Sequence, residues 1–384
     1  MRRLRRIGIG LLVVLVVLFA LEPTRVALQT AVMLPNLLGS GPMPLTLFSE
    51  APRRSAIAYR PGEADLAELW LPAWASTDRQ AGAILLVLGV NNVGRNHPVV
   101  ERVADALART GAAVLVPDSR TLLEGRLTVE EIDGLVLAFQ ALAERSEVDP
   151  DRIGIAGFSV GGSLSLLAAR DPRIASDVRW VNAFGAYADA ADYLASVSAH
   201  AYRGPDGASV PWTPTPLARE VYLQFLLDQV TDDRDRDALD AAFASVILGG
   251  ERPPPEPRLR ASFRSDAARA VHDLLTAPDL DTAAEAVGTL PPASLGFVDA
   301  ISPARHLDGL VARVYLMHET EDHHVPFVES RALAAALEPT SLLRGHTEFR
   351  LFDHVQPDDI DFIAAAPELV KLLLHVRSLM EETL

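Results

Sequence analysis

The stretch Gly157-Phe158-Ser159-Val160-Gly161-Gly162 constrains this chain more than any other, because it sets one serine between glycines where an extended run meets a helix. Arg152 to Ala156 reads as a short apolar strand after the Asp149-Pro150-Asp151 turn, and Ser163 to Arg170 continues as a helix. A strand that becomes a helix across a single residue needs Gly157 and Gly161 where a side chain would collide with the turn, while Gly162 lets the helix close on the strand. This layout holds a hydroxyl clear of the backbone, open to a base and to free N–H groups. A serine needs all of these before it can act as a nucleophile.

The strand before that turn has neighbours of the same kind. Ala83 to Leu88 is a continuous apolar run, as expected for a strand covered on both faces, and Ala112 to Pro117 and Arg179 to Phe184 repeat the pattern. Helices are expected between them, from Pro98 to Arg109 and after Thr128, where Glu131 three residues on predicts a capping box. Ala56 to Tyr59 and Leu66 to Leu71 read as opening antiparallel strands. Strand and helix in alternation imply a mostly parallel sheet flanked by helices, an α/β architecture. After Phe184 the rhythm turns helical for more than a hundred residues, with helices expected over Pro216–Val230, Arg234–Leu248 and Leu259–Thr276. The strand pattern resumes at Val311 to Met317, so this segment is an insertion that caps the sheet rather than an independent domain. The expected division is residues 1–24 as a signal anchor, 25–50 as a juxtamembrane segment, 51–184 with 301–384 as the α/β core, and 185–300 as the helical cap.

Charge and composition exclude several functions. The chain has 384 residues and a formal net charge of -16, with no basic stripe after its first six residues, which argues against a nucleic-acid partner. It has no cysteine, so disulfides, thiolate catalysis and thiolate metal sites are excluded. At the N-terminus, Arg2, Arg3, Arg5 and Arg6 precede an uncharged run from Ile7 to Leu21. That pattern predicts a single membrane helix with the rest of the chain outside the cytoplasm. Small residues suited to cleavage are lacking around Phe19-Ala20-Leu21, which favours an uncleaved anchor; cleavage would instead give a secreted protein.

A serine nucleophile calls for an acid and a histidine further on, and both occur in order. After the strand ending at Met317 comes His318-Glu319-Thr320-Glu321-Asp322-His323-His324, and after the strand Glu348 to Phe352 comes Asp353-His354. With the elbow and this order, the chain resembles the α/β-hydrolase family, in the branch of dienelactone hydrolases, acyl-peptide hydrolases and bacterial carboxylesterases, from about Ala81 onward. The resemblance implies a triad of Ser159, Asp322 and His354, with the backbone N–H of Val160 as one oxyanion donor. The second donor falls in Leu88-Gly89-Val90-Asn91-Asn92, where relatives often read His-Gly-X. Val90 N–H is the expected donor, with the Asn91 side chain as the alternative.

Glu319 stands where relatives carry glycine, and Glu321 is an alternative acid one position from Asp322. His346, His375 and His97 are rival histidines, the first two away from the catalytic edge and the third near the oxyanion loop at a helix start. The clustered histidines and carboxylates from His318 to His324 lack the helical His-Glu-X-X-His pattern, so neither a metal nor a cofactor is expected. Trp212, Tyr222, Phe225 and Leu226 either line an acyl pocket or form the cap's own core. The resemblance implies a serine hydrolase acting on a small-molecule carboxylic ester or related acyl bond, with ester placed ahead of peptide. A peptidase, or a binding or scaffold protein on the same fold, is the alternative.

Overall fold

The computed structural model describes residues 22–38, 44–60, 67–353, 356–357 and 364–384. It opens with helix α1 (Glu22–Leu38), which carries Pro35 in its last turn. Strands β1 (Arg53–Ile57), β2 (Ala67–Leu71), β3 (Ala81–Val87), β4 (Ala113–Pro117), β5 (Val148–Phe158), β6 (Val178–Phe184), β7 (Arg313–Glu319) and β8 (Leu343–Phe349) form one sheet. Their order across it is β1-β2-β4-β3-β5-β6-β7-β8. Only β2 runs against its neighbours, and from β4 to β8 every pairing is parallel. Every residue of β3 is buried, as its unbroken apolar run requires. The opening strand lies slightly earlier than the Ala56–Tyr59 run suggested.

Helices α2 (Pro98–Thr110), α3 (Glu130–Ala143) and α4 (Val160–Ala168) connect the early strands. Between β6 and β7 come α5 (Ala190–Ala199), α6 (Pro216–Asp228), α7 (Asp233–Leu248), α8 (Pro257–Ser262), α9 (Asp266–Leu275), α10 (Leu280–Val287) and α11 (Pro292–Ala300). Then α12 (Val328–Leu337) precedes β8 and α13 (Ala366–Thr383) ends the chain. Strand alternation sends successive side chains to opposite faces, giving the sheet two cores. Leu85, Ile155 and Val181 pack with α3, α4 and α12 on one face. Ile84, Leu86 and Trp180 meet α1, α2 and α13 on the other. Val26 and Met33 of α1 are fully buried there, so the segment expected beside the membrane is built into the core. The inserted helices share a third core around Leu226, Phe243, Val271 and Leu274.

Two local expectations fail for tertiary reasons. The Thr128–Glu131 capping box does not form: α3 starts after Val129, and the buried Glu131 carboxylate turns inward to accept from the Thr121 hydroxyl. The single helix expected over Leu259–Thr276 is two, because the buried Asp235 carboxylate accepts from the backbone of Arg264 and Ser265, and Ser265 then caps α9. Among the described residues no helix is long and apolar enough to cross a membrane. The anchor expected over Ile7–Leu21 lies outside the described residues.

Candidate active site

Ser159 is the one residue between β5 and α4, and its backbone sits at φ 53°, ψ -133°, a conformation an L-residue holds only under strain. Its N–H donates to Phe184 O at 2.7 Å, and its carbonyl accepts from Gly162 N at 2.8 Å. The glycines are there because the space is occupied. A Cβ on Gly157 would come within 2.4 Å of Gly161 O, and one on Gly161 within 2.5 Å of Leu88 O. One on Gly162 would lie 3.0 Å from Ala186 Cβ, so α4 lies close against the chain leaving β6.

The register of the sheet brings the loop after β3 to the nucleophile. Val87 faces Gly157 across the β3–β5 pairing, so Gly89 is level with Ser159. A Cβ on Gly89 would lie 3.3 Å from Ser159 Oγ. Val90 follows directly, and its N–H donates to no group among the described residues. Val160 N–H, at the first position of α4, has no intrahelical acceptor and lies at the positive end of that helix. The Asn91 side chain is committed elsewhere: it donates to Gly89 O at 3.0 Å and accepts from the N–H groups of Val93 and Gly94. One of the two N–H bonds of its amide is thereby used within its own loop. His97 caps α2, its Nδ1 accepting from Val99 N at 3.3 Å.

Asp322 is buried in the loop beyond β7. One carboxylate oxygen accepts from His324 N at 2.7 Å and Val325 N at 3.0 Å, and the other lies 3.3 Å from His318 Nε2. The Asp322 carbonyl accepts from Trp212 Nε1 at 2.8 Å, tying the acid loop to the inserted helices. The rival Glu321 is 71% exposed and pairs with Arg350 at 3.7 Å, so of the two only Asp322 is set in the interior. β7 extends two residues beyond Met317 and ends on Glu319, whose buried carboxylate accepts from Leu351 N at 2.6 Å and Glu321 N at 3.3 Å. Glu319 thereby straps the acid loop to the chain that leads from β8 toward position 354. β8 lies parallel beside β7 with Phe349 opposite Glu319, so that chain starts next to the acid loop. His354 itself lies outside the described residues.

The other histidines are committed. His375 Nε2 is 2.8 Å from Asn182 Oδ1 and its Nδ1 is 2.8 Å from Thr347 Oγ1, while burial pushes its pKa down to about 3. His346 lies within β8 rather than before it, 3.0 Å from Ser330 Oγ, and burial lowers its pKa as well. His318 is completely buried, with Nε2 3.0 Å from Val325 O. His323 is exposed against Thr213 O, and among the described residues no group of three or more His, Asp or Glu is placed to hold a metal. Trp212, Tyr222 and Leu226 are buried in the core of the insertion, and Phe225 stacks on Phe297. The opposite side of α6 meets the nucleophile instead: Leu217, Glu220 and Val221 line, with Ser159, a cavity of about 710 Å³.

The bond from Trp212 to the acid loop, the strap made by Glu319 and the cavity are the parts the sequence did not assign. A glutamate in place of the expected glycine was the one signal for Glu319. Nothing in the local pattern distinguishes Trp212 from a core tryptophan, since its partner is 110 residues away.

No protein-family model and no curated protein sequence matches the chain. Solved structures do. A Bacteroides ovatus protein provisionally named a dipeptidyl aminopeptidase IV aligns at a TM-score of 0.50 and 13% identity, over 87% of this chain and 36% of its own. A puromycin-hydrolyzing peptidase of Mycobacterium tuberculosis aligns at 0.48 and 17%, over 86% and 40%. A 2,6-dihydroxy-pseudo-oxynicotine hydrolase aligns at 0.45 and 13%, over 87% and 68%. The chain thus spans about a third of the Bacteroides protein, and the likeness to it establishes the fold. That fold is the α/β-hydrolase fold implied by the resemblance in sequence. These likenesses concern the fold and give no support to placing ester ahead of peptide.

Proposed function

We propose that the chain is a serine hydrolase that cleaves a carboxylic ester or related acyl bond. Ser159 Oγ attacks the carbonyl carbon while His354 takes the hydroxyl proton, and Asp322 orients the imidazole and balances its charge. The carbonyl oxygen gains negative charge and is held by the N–H groups of Val160 and Val90. Collapse of the tetrahedral species expels the leaving group, which takes the proton from His354 and leaves an ester on Ser159. Water, deprotonated by the same histidine, then attacks this ester, releasing the acid and restoring the serine.

The observation that carries this reading is the strained Ser159 between β5 and α4, with the Gly89-Val90 turn against it. The buried Asp322, in the loop beyond β7 two strands along from β5, supports the acid's place. A peptidase is the second reading, favoured by the name of the Bacteroides neighbour. Residues 1–21, with their basic start and apolar run, are proposed to hold the enzyme at a membrane with its site outside the cytoplasm. Turnover of p-nitrophenyl butyrate and of aminoacyl p-nitroanilides tests the chemistry. Hydrolysis of either by wild type, lost in Ser159→Ala, supports it and decides between ester and amide. A folded wild type that turns over neither, or one whose rate survives Ser159→Ala, refutes it.

A further inference from the structure

The cavity beside Ser159 has an unusual course. It does not stop between the sheet and the inserted helices but continues beneath the nucleophile, along the face of the sheet that α1, α2 and α13 cover. Leu86, Ala156, Phe158 and Met317 form its wall on the sheet side. Val100 and Val103 of α2, Val376 and Met380 of α13, and Leu37 and Leu38 of α1 form the facing wall. Protein interiors seldom leave voids larger than a water molecule, so an apolar space of about 710 Å³ that begins at a nucleophile is a place for a ligand.

Its depth follows from the strand register. Ile84 and Trp180 both line the cavity, and both pair with Gly154, five residues before Ser159 on β5. At about 3.3 Å per residue the cavity reaches roughly 16 Å from the serine. An extended hydrocarbon advances about 1.3 Å per carbon, given carbon–carbon bonds of about 1.5 Å, so the depth matches a chain of roughly twelve carbons. The Trp180 indole closes the far end, packed so tightly on Gly154 that a Cβ there would lie 2.0 Å from it, with Nε1 donating to Thr383 Oγ1.

The polarity of the lining is ordered along the cavity. Asn92, His97, Glu124, Glu220 and His324 gather at the Ser159 end, where Val93 and Leu217 are exposed. Deeper in, Asn182 is the polar exception on the sheet wall. Its Oδ1 accepts from His375 and its amide nitrogen points to Met317 Sδ at 3.6 Å, so a hydrogen-bonding ligand gains little there. A polar entrance with a dry hydrocarbon-lined shaft fits an amphiphile.

We propose that this shaft binds the acyl chain of a lipid-like ester, with the scissile carbonyl at Ser159, the alkyl chain running under the sheet toward Trp180 and the alcohol portion at the polar mouth. The substrate class is then a long-chain acyl ester, a deepening that rests on the hydrolase reading above. Each methylene buried in such a shaft raises kcat/KM by up to about fourfold until the chain meets the indole.

The test uses the full chain, p-nitrophenyl esters of four, eight, twelve and sixteen carbons, and a fluorescent twelve-carbon fatty acid bound to the Ser159→Ala protein, displaced by unlabelled laurate. The expected result is a twelve-carbon ester preferred over the four-carbon ester by at least about tenfold in kcat/KM. Ala156→Phe, from the sheet side, should move the optimum to shorter chains and weaken fatty-acid binding. Val376→Trp, from the helix side, should do the same, and serves should Ala156→Phe fail to fold. A flat or short-chain profile with no fatty-acid binding overturns the shaft and leaves the hydrolase standing. Fatty-acid binding that both plugs weaken, with no ester turned over, upholds the shaft and overturns the hydrolase. Unaltered chain-length preference in both folded plug variants overturns the shaft.

Discussion

Replacing the serine with two different small residues measures the strain at the elbow without the complication of lost chemistry. Ser159→Ala and Ser159→Gly both remove the hydroxyl, so neither is expected to turn over substrate. They differ in what φ 53°, ψ -133° costs. An L-residue held in such a sparsely populated region carries on the order of 1–3 kcal/mol of strain, and alanine keeps it. Glycine releases it, but loses about 0.5–1 kcal/mol more than alanine in conformational entropy on folding. The difference leaves Ser159→Gly more stable than Ser159→Ala by up to about 2.5 kcal/mol. Urea unfolding followed by circular dichroism, with equal m values in both variants, reads that difference directly as a higher midpoint for glycine. A glycine variant less stable than the alanine variant would refute the strained elbow, and with it the geometry that presents the hydroxyl.

Trp212→Phe removes the N–H that holds the Asp322 carbonyl; about 1–3 kcal/mol of stability and roughly tenfold in kcat should be lost, with KM little changed, as unfolding midpoints and steady-state rates would report. A variant with full kcat would show that this bond does not position the acid. The Glu329 carboxyl accepts from Ala188 N and Asp189 N, yet burial first, and the nearby Asp192 and Asp189 charges after it, push its pKa up to about 8. The unfolded carboxyl ionises near 4.3, so between about pH 4.3 and 8 the folded state binds the extra proton and stability falls as pH rises, by several kcal/mol at most. Glu329→Gln should flatten that part of the pH–stability curve, and an unchanged slope would place the titration elsewhere. His375 works in the opposite sense: with a folded pKa of about 3, its contribution is present above about pH 6.5 and is lost as pH falls from there toward 3. Removing residues 1–21 should shift the protein from the detergent-extracted membrane fraction to the soluble one, and the same distribution with and without them would contradict the anchor.

What could be read in the sequence was local or followed chain order. Gly157, Gly161 and Gly162 announce a tight strand-to-helix turn because only a missing side chain fits there, and the apolar run at β3 announces a strand buried on both faces. The order of Ser159, Asp322 and His354 along the chain is likewise legible without coordinates. Contacts between distant segments were not. The Trp212 indole, within the core of the inserted helices, also donates to the acid loop 110 residues away, and the Asn91 side chain folds back on its own loop. Glu131 had a capping-box position, but a buried carboxylate goes to the partner that desolvation demands, here Thr121. The shaft is invisible in any one segment, since its walls come from four strands and three helices that meet only in the fold.

Labelling with a fluorophosphonate probe, followed by mass spectrometry of the peptide that contains Gly157 to Gly162, tests the central claim most directly. The account predicts a covalent adduct on Ser159 in the wild type, no adduct in Ser159→Ala, and labelling slowed by orders of magnitude in His354→Ala. A folded wild type that stays unlabelled, or an adduct on any residue other than Ser159, would contradict it.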